Sequence, residues 1–209
     1  MGLWNYDEKN YYTNTSQKYI MYDNLDFEHR TTAGMDRVFL ITAMILGKLL
    51  NRIVILPKFN CYGCTCYGCA NMHVCQRIDN ACAFNALFHV KSLHSRFPGQ
   101  YRENSFLKHP KVPEAIRESI SPKIYILKKG WTEYDVIQLD DTTSIETEDK
   151  NRISTWDIMS WFGEGPLSEF AVLKFHSLDF NISYKDLSWL GRVHAALKPC
   201  NYRQDPRAM

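Results

Sequence analysis

One stretch constrains the fold more than any other: KYIMYDNLDFEHRTTAGMDRVFLITAMILGKLLNRIVILPKF, from Lys18 to Phe59. Lys18 to Tyr22 is short, β-branched or aromatic in part, and followed by the turn pair Asp23-Asn24, which predicts a strand. After Gly34, the residues Met35, Val38, Phe39, Thr42, Ile45, Leu46, Leu49 and Leu50 recur at three and four. That is the spacing of a helix with a broad apolar face. Asn51-Arg52 interrupts it, and Ile53 to Leu56 is an unbroken apolar run closed by Pro57, the signature of a buried strand. Strand, loop, helix and strand in so short a span make a βαβ unit, whose crossover should be right-handed. The loop from Asp23 to Gly34 then lies outside the carboxyl end of the first strand, where open α/β sheets bind ligands.

The rest of the chain repeats the alternation. Residues 1–17 read as an irregular lead-in, and residues 18–209 as one α/β domain with a cysteine-rich loop at 60–83. Phe84, Leu87, Phe88, Leu93 and Phe97 predict a helix ending at Pro98-Gly99. A connection with two prolines follows, then a short helix over Val112 to Ser119 with Pro113 near its first turn. Lys123 to Leu127 and Asp135 to Leu139 predict strands, and the polar, acidic stretch Thr142 to Arg152 an exposed loop. Ser154 to Phe162 reads as a capped helix stopped at Gly163. Phe170 to Phe175 is a buried strand. Tyr184 to Leu197 is a helix with Leu187, Leu190, Val193 and Leu197 on one face. The predicted architecture is a Rossmann-like, mainly parallel sheet flanked by helices.

Charge excludes one class of partner. With 25 basic and 23 acidic residues, a net +2, the 209-residue chain offers no electrostatic case for binding nucleic acid. The most lipid-like run, Val38 to Leu50, is too short to span a bilayer and contains Lys48. Cys61, Cys64, Cys66, Cys69, Cys75 and Cys82 are six of the seven cysteines and fall in one aperiodic loop. Their spacing fits disulfides in an oxidising lumen or a structural zinc site, for instance through Cys64, Cys69, His73 and Cys75. Either way they pin a long loop. Asn14-Thr15-Ser16 and Asn181-Ile182-Ser183 are N-glycosylation triplets. No secretory leader is legible in MGLWNYDEKNYY, a conflict that resolves if the chain belongs to a longer secretory protein.

Candidate site residues follow from position. Asp23, Asn24 and Arg30 lie in the first βα loop and Arg37 at the helix start, where a guanidinium could clamp a phosphate or a sugar carboxylate. Surface pairing of Arg37 with Asp36 or Glu28 is the alternative. His176 follows the last predicted strand. Asp140-Asp141 ends another and could hold a divalent metal and a diphosphate, although adjacent side chains on an extended backbone diverge. Glycine-rich phosphate loops, Ser-His-Asp and HExxH patterns are absent, and no residue is assigned a catalytic role.

Two phrases carry a family likeness. KLLNRIVILPKFNC resembles the Leu-Asn-Arg-Thr-Leu-Val-Leu-Pro segment of nucleotide-sugar glycosyltransferases, and the same pattern opens the first half of O-fucosyltransferase-like enzymes. Cys82-x-Phe84-Asn85-Ala86-Leu87-Phe88 followed by Tyr101-Arg102-Glu103-Asn104-Ser105-Phe106-Leu107-Lys108-His109-Pro110 resembles the region after the catalytic domain in family 77 glycosyltransferases. This sequence has Cys82-Ala83-Phe84-Asn85 where that family has Cys-Pro and Asp-His. The resemblance implies a glycosyltransferase, or a domain of one, using a nucleotide-sugar donor and a glycan or glycoprotein acceptor, with a divalent cation as candidate cofactor. It adds Arg102 and Glu103 to the ligand-binding candidates. It also implies the Golgi lumen or secretory pathway for a longer protein; a chain complete at these ends would be cytoplasmic. The rival is a non-catalytic glycan- or protein-binding module braced by disulfides or zinc.

Overall fold

The structure is a computed structural model and describes residues 10–23, 33–62, 77–82, 84, 88–129, 142–176, 178 and 180–197. Strand β1 (Tyr19–Tyr22) leads through helix α1 (Ala33–Leu50) to β2 (Ile53–Ile55), and β1 and β2 are parallel neighbours, as the βαβ pattern requires. Helix α1 stops at Asn51, whose φ of 50° places it in the left-handed region that ends helices. Gly47 admits the turn back: a Cβ there would lie 2.8 Å from the Arg52 carbonyl oxygen, and the Arg52 N–H donates to the Gly47 carbonyl.

The aperiodic cysteine loop has paired ends. β3 (Phe59–Tyr62) and β4 (Arg77–Cys82) form a two-stranded antiparallel sheet of their own. Of the helix expected over Phe84 to Phe97, Phe84 is helical, residues 85–87 lie outside the described residues, and α2 (Val90–Arg96) forms the second part; its apolar spacing predicts burial correctly, since Phe84, Phe88, Leu93 and Phe97 are all in the core. Phe84 and Phe88 pack on Phe59, at 6.0 and 5.7 Å between ring centroids.

Beyond them come β5 (Tyr101–Arg102), a 3-10 turn at Phe106–Lys108, α3 (Glu114–Glu118) and β6 (Lys123–Lys128). The predicted loop at Thr142 to Arg152 begins instead with a strand, β7 (Thr142–Thr147), paired with β6 along its length. Its composition misleads because it is an edge strand: Thr143, Ile145 and Thr147 turn inward, while Ser144 and Glu146 are exposed. A capping box between Ser154 and Asp157 starts α4 (Thr155–Ile158), which loosens into a π-turn at Met159–Glu164 rather than stopping at Gly163.

Strand β8 (Val172–Phe175) and α5 (Leu187–Ala196) complete the domain. The phase of α5 is set by Trp189, Val193, Ala196 and Leu197, all buried. Leu187, expected on that face, is 78% exposed, because it lies in the first turn before the helix meets the core.

The main sheet has six strands in the order β5-β2-β1-β8-β6-β7, every pair parallel. The strand expected at Asp135 to Leu139 lies outside the described residues. Helices cover both faces, as an all-parallel sheet demands. On one, α1, α2, α4 and α5 bury Phe39, Leu40, Met44, Leu93, Ile158 and Trp189 against Ile20, Val54, Leu173 and Phe175. On the other, Phe106, Val112 and Ile116 cover Tyr19, Ile53, Ile55 and Val172.

The Leu-Asn-Arg phrase has a structural meaning at the amino end of the sheet. Arg52 is 6% exposed, and its guanidinium donates to the Phe170 and Ser168 carbonyls, both at 2.8 Å. It straps the turn that feeds β8 to the strands beside it. Burial pulls its pKa down to about 10, still above neutral pH, so the group remains charged.

Candidate functional site

The chain leaves β1 for β2 and β5 on one side of the sheet, and leaves β6 for β7 on the other. β8 enters last, between β1 and β6. The sheet therefore has a switch point at β1, β8 and β6, and ligands of open α/β sheets bind beyond the carboxyl ends of such strands.

Alternation sorts the side chains there. Ile124 and Ile126 on β6 and Leu173 and Phe175 on β8 belong to the helix-packed core. Lys123 and Tyr125, and Lys174 and His176, therefore point to the opposite face, which Asp23 shares with Tyr19 and Met21. Contacts confirm the placement. Lys123 Nζ lies 3.0 Å from Asp23 Oδ2, and the His176 and Tyr125 rings stack at 4.4 Å with 22° between planes. Backbone bonds fix the same residues, since Asp23 N–H donates to the Phe175 carbonyl at 3.0 Å and His176 N–H to that of Ile124 at 2.9 Å. The Ser121 hydroxyl accepts from Lys174 N–H at 2.9 Å. Beneath this array, on the other face, Tyr22 and Asp36 are buried. Burial, and secondarily the Asp36 carboxylate, hold the Tyr22 phenol well above its ordinary pKa.

The other predicted residues divide. Arg37 Nε donates to the Leu197 carbonyl at 3.0 Å and Nη2 to that of His194 at 3.3 Å, so its guanidinium serves the carboxyl end of α5. Arg102 and Glu103 sit two strands away from β1, at the end of β5. Arg102 is buried, donates to the Gly99 and Tyr101 carbonyls at 3.0 and 2.9 Å, and lies 4.1 Å from the centre of the Tyr11 ring. Glu103 accepts from the hydroxyls of Tyr11 and Tyr12, strapping the lead-in to the second face. Desolvation, then the bond to Glu103, raises the Tyr11 pKa.

Asn14 and Asn181 are both exposed, and Asn14 Oδ1 accepts from Ser16 N–H and Oγ–H at 3.1 and 2.7 Å. Asn24, Arg30, Asp140, Asp141, Cys64, Cys66, Cys69 and Cys75 lie outside the described residues, and Cys61 and Cys82 are described only as strand backbone. Among the described residues no three metal-ligating side chains converge, and no helix is long and apolar enough to cross a membrane.

Sequence reasoning named Asp23 and His176 but missed Lys123, Tyr125 and Lys174. The polar–apolar alternation of Lys123-Ile124-Tyr125-Ile126 was the available signal. It shows which side chains leave the core, but not which strand lies beside them.

No family model and no curated protein matches the chain. Among solved structures it is similar to POFUT1 in complex with GDP, at 16% identity and a TM-score of 0.49, over 90% of this chain and 51% of that one. A second, POFUT1 in complex with GDP-fucose, matches at 15% identity and a TM-score of 0.49, over 87% and 51%. The chain spans about half the length of these proteins.

Proposed function

We propose that this chain is the sugar-nucleotide-binding α/β domain of a glycosyltransferase. The reaction is transfer of a sugar from a nucleotide diphosphate donor to a hydroxyl of a glycan or glycoprotein. The observation that carries this reading is the switch point, where Asp23 and His176, just past the carboxyl ends of β1 and β8, meet Lys123 and Tyr125 from the first half of β6. Such folds serve many chemistries, so the assignment rests on these side chains and on the sequence phrases rather than on the sheet. An acidic group, a cationic group and an aromatic ring on a rigid edge suit a ligand that combines hydroxyls, charge and ring faces. Asp23 and His176 are the described groups there that can take a proton from an acceptor hydroxyl. Asn24 and Arg30 join them as candidates from the first βα loop, and Asp140 and Asp141 as candidate cation ligands. The acceptor class and the triplets at Asn14 and Asn181 fit a lumenal, secretory setting.

The test is direct. The chain, alone and within any longer form of the protein, is incubated with a panel of nucleotide sugars and glycan acceptors, and nucleoside diphosphate release is measured. Donor binding by calorimetry, weakened at least tenfold by Asp23→Ala or His176→Ala with the fold intact, supports the reading. Failure of every nucleotide sugar to bind refutes it and favours a non-catalytic module.

A further inference from the structure

We infer that the outer edge of β7 is an interface for a second copy of this chain, the two strands pairing antiparallel about a twofold axis at Ile145. This interface does not depend on the ligand of the proposed function.

The two edges of the main sheet differ. β5 is two residues long, and so short an edge offers little for another strand to pair with. β7 runs for six residues, Thr142–Thr147, in unbroken register with β6. It has no proline, no lysine and no bulge, the devices that keep an edge strand from pairing, and its one charge is Glu146. The Thr147 carbonyl accepts from Lys129 N–H at 2.8 Å, on the β6 side. Backbone alternation therefore turns the N–H and C=O groups of Thr143 and Ile145 towards β6 as well. Those of Ser144 and Glu146 turn outward, where no described strand meets them, and both residues are exposed.

The order of side chains selects the partner. Thr143 and Ile145 share the face of Ile124 and Ile126, whereas Ser144 and Glu146 lie on the other. Residues opposed across a twofold normal to the sheet share a face, so the axis passes through a residue and not between two. An axis at Glu146 opposes two carboxylates, and one at Ser144 sets each isoleucine against a threonine. An axis at Ile145 opposes isoleucine to isoleucine at the closer, non-hydrogen-bonded spacing, and Thr143 to Thr147. It also opposes Ser144 to Glu146, so that the outward backbone groups of these two residues exchange bonds. Thr143 and Ile145 wall an apolar cleft with Trp161, Leu167 and Phe170. The axis brings two such clefts onto one face, adding apolar contact to the backbone bonds.

The assay is sedimentation equilibrium of the full chain over a range of concentrations, with circular dichroism verifying the fold of each variant. Ile145→Lys sets two ammonium groups face to face and weakens dimerisation about tenfold or more. Ser144→Pro deletes an outward N–H without costing a bond to β6, and weakens it about as much. The proline variant stands in should Ile145→Lys fail to fold. Ser144→Lys sets each ammonium against Glu146 of the second copy and tightens dimerisation about threefold. The expected result is a reversible dimer with this opposed pattern. A chain that stays monomeric into the high micromolar range overturns the inference and leaves the edge to a strand of a different protein. A dimer indifferent to Ile145→Lys and Ser144→Pro also overturns it, as does one that Ser144→Lys weakens.

Discussion

Replacing Arg52 by methionine tests whether the Leu-Asn-Arg phrase is structural. The guanidinium makes two charge-assisted bonds of 2.8 Å, to the carbonyls of Phe170 and Ser168. Each such bond contributes about 1.5 to 3 kcal/mol. Against them stands the burial of the charge, which a pKa drawn down to about 10 puts at about 3 kcal/mol. Methionine fills similar volume and relieves that burial, but it leaves the Phe170 carbonyl without this donor, costing about 1 to 3 kcal/mol more. The Ser168 carbonyl keeps Lys18 Nζ at 2.6 Å. The balance is a loss of about 3 kcal/mol for Arg52→Met. Arg52→Lys can restore one bond and should lose about half as much. Urea unfolding followed by tryptophan fluorescence reads the change as a lower midpoint at constant slope. In a domain of this size the melting temperature should fall by roughly 6 to 12 °C. A methionine variant within about 0.5 kcal/mol of the parent would refute the strut. Intact stability with abolished ligand binding would make Arg52 a site residue instead.

Other expectations follow from single contacts. Gly47→Ala puts a Cβ 2.8 Å from the Arg52 carbonyl oxygen and should cost about 1 to 3 kcal/mol in thermal unfolding, where a surface helix glycine would gain from the same change. Arg37→Ala removes the guanidinium from the end of α5 and should cost about 1 kcal/mol, with nucleotide-sugar affinity changed less than twofold; a larger change in affinity would place it in the site. Tyr22 must stay protonated to stay buried, so its folded pKa lies above the unfolded value near 10. Its contribution to stability is complete below about pH 10 and is lost as pH rises beyond it. Arg52 acts in the opposite sense, its lowered pKa favouring the folded state as pH rises beyond about 10. Absorbance at 295 nm should show the Tyr22 phenolate appearing only with unfolding, and Tyr22→Phe should move the alkaline midpoint upward. Unfolding that ignores this substitution would show that Tyr22 does not govern the transition.

The sequence conveyed the first βαβ unit almost whole because every signal in it is local. The helical spacing of α1, the break at Asn51-Arg52 and the apolar run into Pro57 need no knowledge of the rest of the chain. Failures arose where the deciding fact was a neighbour. β7 reads as a polar loop because an edge strand buries only one side, and β6 supplies that side. Leu187 reads as core because its spacing fits a face that meets the sheet only from Trp189 onward. The π-turn after α4 passes beyond Gly163, where a helix-stop rule ends the element.

The same distinction separates the two ends of the sheet. At the amino end, Arg52 meets backbone carbonyls at short distances, an arrangement that leaves a ligand little to recognise. At the carboxyl end of β1, Lys123 is met by Asp23, whose side chain is 41% exposed and whose N–H is tied to the sheet while its carboxylate reaches across β8. A cation satisfied by backbone serves the fold, whereas one satisfied by an exposed carboxylate can change partners. Arg37 and Arg52 are of the first kind and Lys123 of the second. Arginine's fork suits fixed carbonyls, while the point charge of lysine is less particular about direction. Residue type therefore favoured the arginines from the sequence, and the partners in the structure move the weight to Lys123.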